Sequence, residues 1–212
     1  MSVIKQLLSE ERALLIPGTA LVLASLISIL VMQGHPTGGE GHHGEIASES
    51  LSMHAQMLTL RALMVFGLFA YAAHRGIQRP LVLAGSVALI VSTICFVGAT
   101  TIDGYVMPFL TNPDHQIPRY SQIAWAQLVT GFGFTGMFAT ATVYALLSLD
   151  MMTDMKTRPL AIGMSGLAIA SFVIFLVVTN NGMNLPLAFK IISSIGIWGM
   201  ILGLHMVFTR KA

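Results

Sequence analysis

The sequence predicts an all-α integral membrane protein, a six-transmembrane-helix bundle with cytoplasmic N and C termini. Three observations carry that prediction. Six long apolar runs fill nearly all of the 212 residues. Hydrophobic residues make up 55% and charged residues only 9%, with a mean hydropathy of +0.78, whereas roughly a quarter of a soluble domain is charged. The few basic residues fall in alternate connections between the runs. Residues 1–212 therefore read as a single polytopic membrane domain.

In chain order the spans are Leu14–Gln33, Leu51–Ala73, Leu81–Ala99, Ile123–Leu149, Leu160–Thr179 and Leu185–Phe208. Each approaches the 20 or so residues that cross a hydrocarbon core about 30 Å thick at about 1.5 Å per residue. The first run lacks a small-x-small cleavage site before the loop that follows, and five more runs come after it. A retained helix is expected there rather than a removed leader. Span two starts with Ser52 and His54 ahead of its most apolar part, and span three can extend through Thr101 and Ile102. Beyond it, Asp103-Gly-Tyr-Val-Met-Pro108 reads as a shaped mouth, with Pro108 ending or bending the helix. Gly131, Gly133, Gly136, Gly163 and Gly166, and the ridge Gly196, Gly199, Gly203, suit close helix crossings.

Lys5 and Arg12, Arg75 and Arg79, Lys156 and Arg158, and Arg210 and Lys211 fall on one side of this arrangement, while Arg119 is the clear basic charge on the other. The positive-inside rule makes that side cytoplasmic, N-in and C-in, and a bacterial inner membrane is the simplest setting. A formal charge of +2 from so few groups predicts no nucleic-acid partner. The partners to expect are membrane lipids and a membrane-protein partner or a second copy.

The outer connection, residues 34–50, is a His/Gly/Glu-rich loop. His35, Glu40, His42, His43 and Glu45 concentrate nitrogen and oxygen donors among glycines, and His54 follows at the head of span two. Imidazoles and carboxylates bind transition metals, so His35, His42, His43, Glu45 and His54 form a candidate zinc, copper or iron site. The spacing matches no specific metal motif, and a solvated linker is the plain alternative. The 14 methionines lie mostly in apolar runs, where methionine is a packing residue. Cys95 stands alone and forms no disulfide within the chain.

Arg61 lies seven residues beyond His54, two turns deeper on nearly the same face. An arginine in a span needs a bundle-facing partner or a route to the headgroups, and Asp103 is the expected partner. Arg61, Asp103, Tyr105, Gln127 and Lys190 form a candidate substrate or lipid pocket, with Thr130 and Asn184 as further hydrogen-bonding groups.

The leading functional reading is an inner-membrane accessory protein with an outer-facing polar pocket and a transition-metal site. Three alternatives stand beside it. A metal-dependent enzyme would activate water at His42 and His43 and stabilise negative charge with Arg61 or Lys190 on a lipid or anionic substrate. A small-solute transporter needs a continuous polar route, whereas these charges gather near the outer side. A b-haem electron-transfer protein needs histidines facing across helices, His54 with His115 and His74 with His205. No nucleophile or nucleotide-loop motif is present.

Overall fold

A computed structural model describes residues 13–33, 43–181 and 185–208, with side chains described at 13–33, 51–112, 114–174, 176–177 and 193–208. Six long helices appear: α1 (Leu15–Gln33), α2 (His43–Arg75), α3 (Pro80–Thr101), α5 (Arg119–Met151), α6 (Arg158–Asn181) and α7 (Leu185–Phe208). A short α4 (Met107–Thr111) continues α3 through one wide turn.

The expectation of six crossings is overturned. Among the described residues, four stretches are long and apolar enough to cross a membrane, namely Leu15–Gln33, Leu51–Arg75, Pro80–Thr111 and Arg119–Met151. In α6 and α7 the apolar stretches among the described side chains, Arg158–Ile174 and Ser193–Phe208, are shorter than these four. Among the described residues four membrane-length helices stand in place of the six crossings expected.

Helix ends follow local chemistry. Pro17 falls in the first turn of α1, where a missing N–H costs nothing. Helix α2 ends on the basic residues His74 and Arg75, and the Arg75 cation suits the negative end of the helix dipole. Gly76 then takes φ +96°, the left-handed turn glycine adopts freely, while its N–H still bonds the Ala72 carbonyl at 3.1 Å. Pro80 opens α3 from Arg79. Helix α2 begins at His43, so its backbone takes up the second half of the segment 34–50.

Pro108 does not end the third span. Ile102–Val106 widens into a π turn, and the Met107 N–H reaches back to the Ile102 carbonyl. A proline ring clashes with the carbonyl four residues earlier, here that of Gly104, and the wider turn relieves the clash. The rod therefore runs on to Thr111. Asn112 stops it by accepting from the Asp114 N–H at 3.0 Å.

The helices form a closed ring in which α1 packs on α2, α2 on α3, α3 on α5, α5 on α6, α6 on α7, and α7 on α1. The α3–α5 and α1–α7 contacts are the most extensive. At the second of these, a Cβ on Gly18 would meet the Gly203 carbonyl at 2.8 Å, and one on Gly203 would meet the Gly18 carbonyl at 2.7 Å. The ridge Gly196, Gly199, Gly203 thus does what its spacing suggested. Gly136 packs against Cys95, but among the described residues a Cβ on Gly131, Gly163 or Gly166 would meet nothing within 4 Å, and no close crossing is seen at these three.

The core is made by Trp198, Tyr71, Tyr144, Leu21, Leu68, Met151, Met164, Leu202 and Met206. Around it, Ser25, Ser92, Thr140, Ser148 and Ser171 are buried while Leu23, Val87, Ile94 and Ile169 are exposed. Hydroxyls inside and aliphatics outside is the distribution favoured when the surrounding solvent is hydrocarbon.

Candidate functional site

Three helices supply the polar centre. Arg61 projects from α2 into the bundle and is only 5% exposed. Its Nη2 donates to Ser92 Oγ on α3 at 2.5 Å, and its guanidinium lies 5.3 Å from the centroid of the Phe96 ring, a cation–π arrangement. Ser92 Oγ contacts Thr140 Oγ1 on α5 and lies 3.2 Å from the Gly136 carbonyl. Thr140 Oγ1 donates to the same carbonyl at 2.7 Å. The absence of a side chain at Gly136 lets α3 approach, with Cys95 Cβ 3.2 Å from the position a Cβ would take. Arg61 Nε is buried with no hydrogen-bond partner. Among the described residues, no carboxylate comes within ion-pair distance of Arg61.

The expected Arg61–Asp103 pair does not form. Asp103 Oδ2 instead lies 3.1 Å from His54 Nε2, with His54 buried and the Asp103 carboxylate about half exposed. The π turn is the reason, because it rotates Asp103 and Gly104 relative to the regular part of α3. The Gly104 backbone then faces His54, whose Cβ and ring occupy the space a side chain at 104 would need. His54 and Arg61 share a face of α2 but find separate partners, one at the π turn and one two turns deeper.

The other predicted pocket residues do not gather around Arg61. Tyr105 is 42% exposed. Gln127 lines an open groove of roughly 580 Å³ between α3 and α5, with Cys95, Leu128, Phe132 and Thr135 among its walls. The side chain of Lys190 lies outside the described residues. His115 Nδ1 is 2.8 Å from the Phe109 carbonyl, and its ring packs on Phe109 at 4.1 Å between centroids, so His115 and His54 are engaged by different groups. His205 meets Tyr71 edge-on at 6.5 Å, and His74 is exposed on the last turn of α2.

His35 and His42 lie outside the described residues, as do the side chains of His43 and Glu45. Among the described residues, no group of three or more His, Cys, Asp or Glu is placed to hold a metal ion.

The sequence reading missed a second polar cluster at the opposite end of the bundle. Asp150, in the last turn of α5, is buried, and its two oxygens are gripped by two arginines. Arg75 Nε reaches Oδ2 at 2.8 Å, and Arg79 Nε reaches Oδ1 at 2.7 Å. Arg75 also donates to the Asp150 carbonyl at 3.1 Å and lies 3.6 Å from Asp154. Arg79 adds a 2.7 Å bond to Thr153 Oγ1. This cluster ties the α2–α3 turn to the α5–α6 turn. The available signal was an aspartate closing an apolar run on the same side as both arginines. Ser92 and Thr140 were also missed, although hydroxyls inside apolar runs are natural acceptors for an arginine in a span.

Comparison with protein-family models, curated proteins and solved structures returns no match to this chain.

Proposed function

We propose that this chain is a bacterial inner-membrane accessory protein that holds a polar ligand on α2, near the end of the bundle that carries His54. The observation that carries the reading is Arg61, a buried guanidinium in a membrane-length apolar helix with no carboxylate beside it among the described residues. Ionisable groups within spans are costly and mark binding sites or ion pathways. The π turn at the His54 end of the bundle supports the same reading, since such turns concentrate at functional sites.

Arg75, Arg79, Lys156 and Arg158 gather at the Asp150 end, which the positive-inside rule assigns to the cytoplasm. The His54 end then faces the periplasm. Below Thr140 the interior is filled by Tyr144, Trp198, Leu68, Leu147, Met151 and Leu202, with Tyr144 stacked on Trp198 at 3.9 Å. That plug favours a binding station over a through-route, and hence an accessory protein over a transporter. A membrane-protein partner or a second copy, together with bilayer lipids, completes the proposal. The donors His35, His42, His43, Glu45 and His54 make up the zinc, copper or iron site of this proposal.

The test is to purify the chain from native membranes in mild detergent, without a histidine tag, as wild type and Arg61→Met. Mass spectrometry then reads every small molecule and protein carried along in stoichiometric amount. A species lost from monodisperse, helical Arg61→Met supports the reading. Identical companions in both preparations refute it.

A further inference from the structure

Resting on that reading, we propose that the ligand at Arg61 is an oxyanion of the phosphate class, held as the counter-ion the fold itself leaves out.

A guanidinium carries five N–H donors and no acceptor. In the described structure Nη2 spends a proton on Ser92, Phe96 covers a ring-facing side, and Nε is sealed from solvent with no partner. The groups around it are neutral. Ser92 and Thr140 contact each other and the Gly136 carbonyl, so their hydroxyl protons are committed there and supply no negative charge. The described carboxylates nearest the two ends of the bundle are already engaged, Asp103 by His54 and Asp150 by Arg75 and Arg79. Arg61 is therefore a desolvated cation with an unused donor edge. Nε–H together with a terminal N–H is the fork that matches two oxygens of a phosphate or carboxylate, and a charge-assisted pair of that kind is strong in a low-dielectric interior.

Depth agrees with this chemistry. Arg61 sits seven residues beyond His54, about 10 Å along the helix. That is too deep for the side chain to stand free in bulk water. Two sources supply the same chemistry, the phosphate of a lipid headgroup or a free phosphate from the aqueous side.

The experiment uses the full chain in nanodiscs, as wild type, Arg61→Gln, Arg61→Lys and Arg79→Gln. One arm mixes phosphatidylglycerol into phosphatidylcholine and counts retained phosphatidylglycerol by native mass spectrometry. The other uses phosphatidylcholine alone and titrates inorganic phosphate, read by phosphorus line broadening and by melting temperature against chloride at equal ionic strength. The proposal expects saturable binding in one arm, weakened about tenfold or more in Arg61→Gln, weakened less in Arg61→Lys, and unchanged in Arg79→Gln. The arm that responds identifies the source. Should Arg61→Gln fail to fold, the wild-type phosphate-dependent melting shift and the Arg61→Lys comparison decide. Equal behaviour of wild type and Arg61 variants in both arms overturns the proposal. If a neutral molecule is instead lost with Arg61, the oxyanion assignment fails while the polar-ligand reading stands; if nothing depends on Arg61, both fail.

Discussion

Asp150 joins two turns that are far apart in sequence, and replacing it by asparagine isolates what its charge contributes. The asparagine keeps the shape and one acceptor, so the loss is electrostatic. Arg75 is the larger part, because its side chain is only 11% exposed and its Nε sits 2.8 Å from a carboxylate 3% exposed. Losing one charge-assisted hydrogen bond in such a place costs about 1.5–3 kcal/mol. Arg79 is 41% exposed, so water screens its share, which amounts to about 0–1 kcal/mol. Asp150→Asn is therefore expected to destabilise by about 3 kcal/mol, against at most about 1 kcal/mol for Arg79→Gln. For a chain of this size 1 kcal/mol moves a melting temperature by roughly 2–4 °C, which puts the Asp150→Asn shift at about 6–12 °C. Tryptophan fluorescence in detergent reads it, since Trp198 stacks on Tyr144 in the core. An Asp150→Asn shift no larger than that of Arg79→Gln would refute the reasoning, and so would full recovery of stability in high salt, because buried pairs are weakly screened.

Other outcomes follow from single contacts. Gly203→Ala forces a Cβ against the Gly18 carbonyl and should cost about 1–3 kcal/mol, whereas Gly131→Ala enters open space and should be neutral or stabilising by up to about 1 kcal/mol; paired unfolding curves compare them. Ser92→Ala removes the acceptor for Arg61 Nη2 and should destabilise by about 1–3 kcal/mol, with rescue by Ser92→Thr as the readout. Gly104→Ala meets the His54 side chain, so the His54–Asp103 pair should be broken, visible as a shifted His54 imidazole resonance while helix content holds. Quantitative metal analysis should find near-stoichiometric zinc, copper or iron that dialysis leaves and joint His42→Ala and His43→Ala replacement removes; metal-free protein after reconstitution would end that part of the proposal.

The helices and their order were legible because an apolar run is a property of one segment. The glycine ridge of α7 was legible for the same reason, since small residues at helical spacing mark one face whatever lies opposite. Pairing between helices was not. His54 and Arg61 were rightly placed on one face of α2, yet which of them meets Asp103 depends on how far α3 has rotated when it arrives. A π turn adds one residue to a turn and changes that rotation, and Pro108 pointed to a disturbance without giving its form. The span count differs at α6 and α7, where the apolar stretches among the described side chains are shorter than the runs in the sequence. Asp150 escaped notice because the basic residues opposite it were read as topology signals alone, although the same charges also bind one another.

The clasp between α1 and α7 bears on how the protein is made. Gly18 leaves the ribosome about 185 residues before Gly203, an interval on the order of 10–40 s at ordinary synthesis rates. Throughout that time the small-residue seam of α1 has only α2 to lean on, and its second neighbour does not yet exist. The ring closes as the last described helix arrives, so a chain stalled before α7 would display an open seam to insertases and membrane proteases. Closure of the ring therefore waits on the last helix to be made.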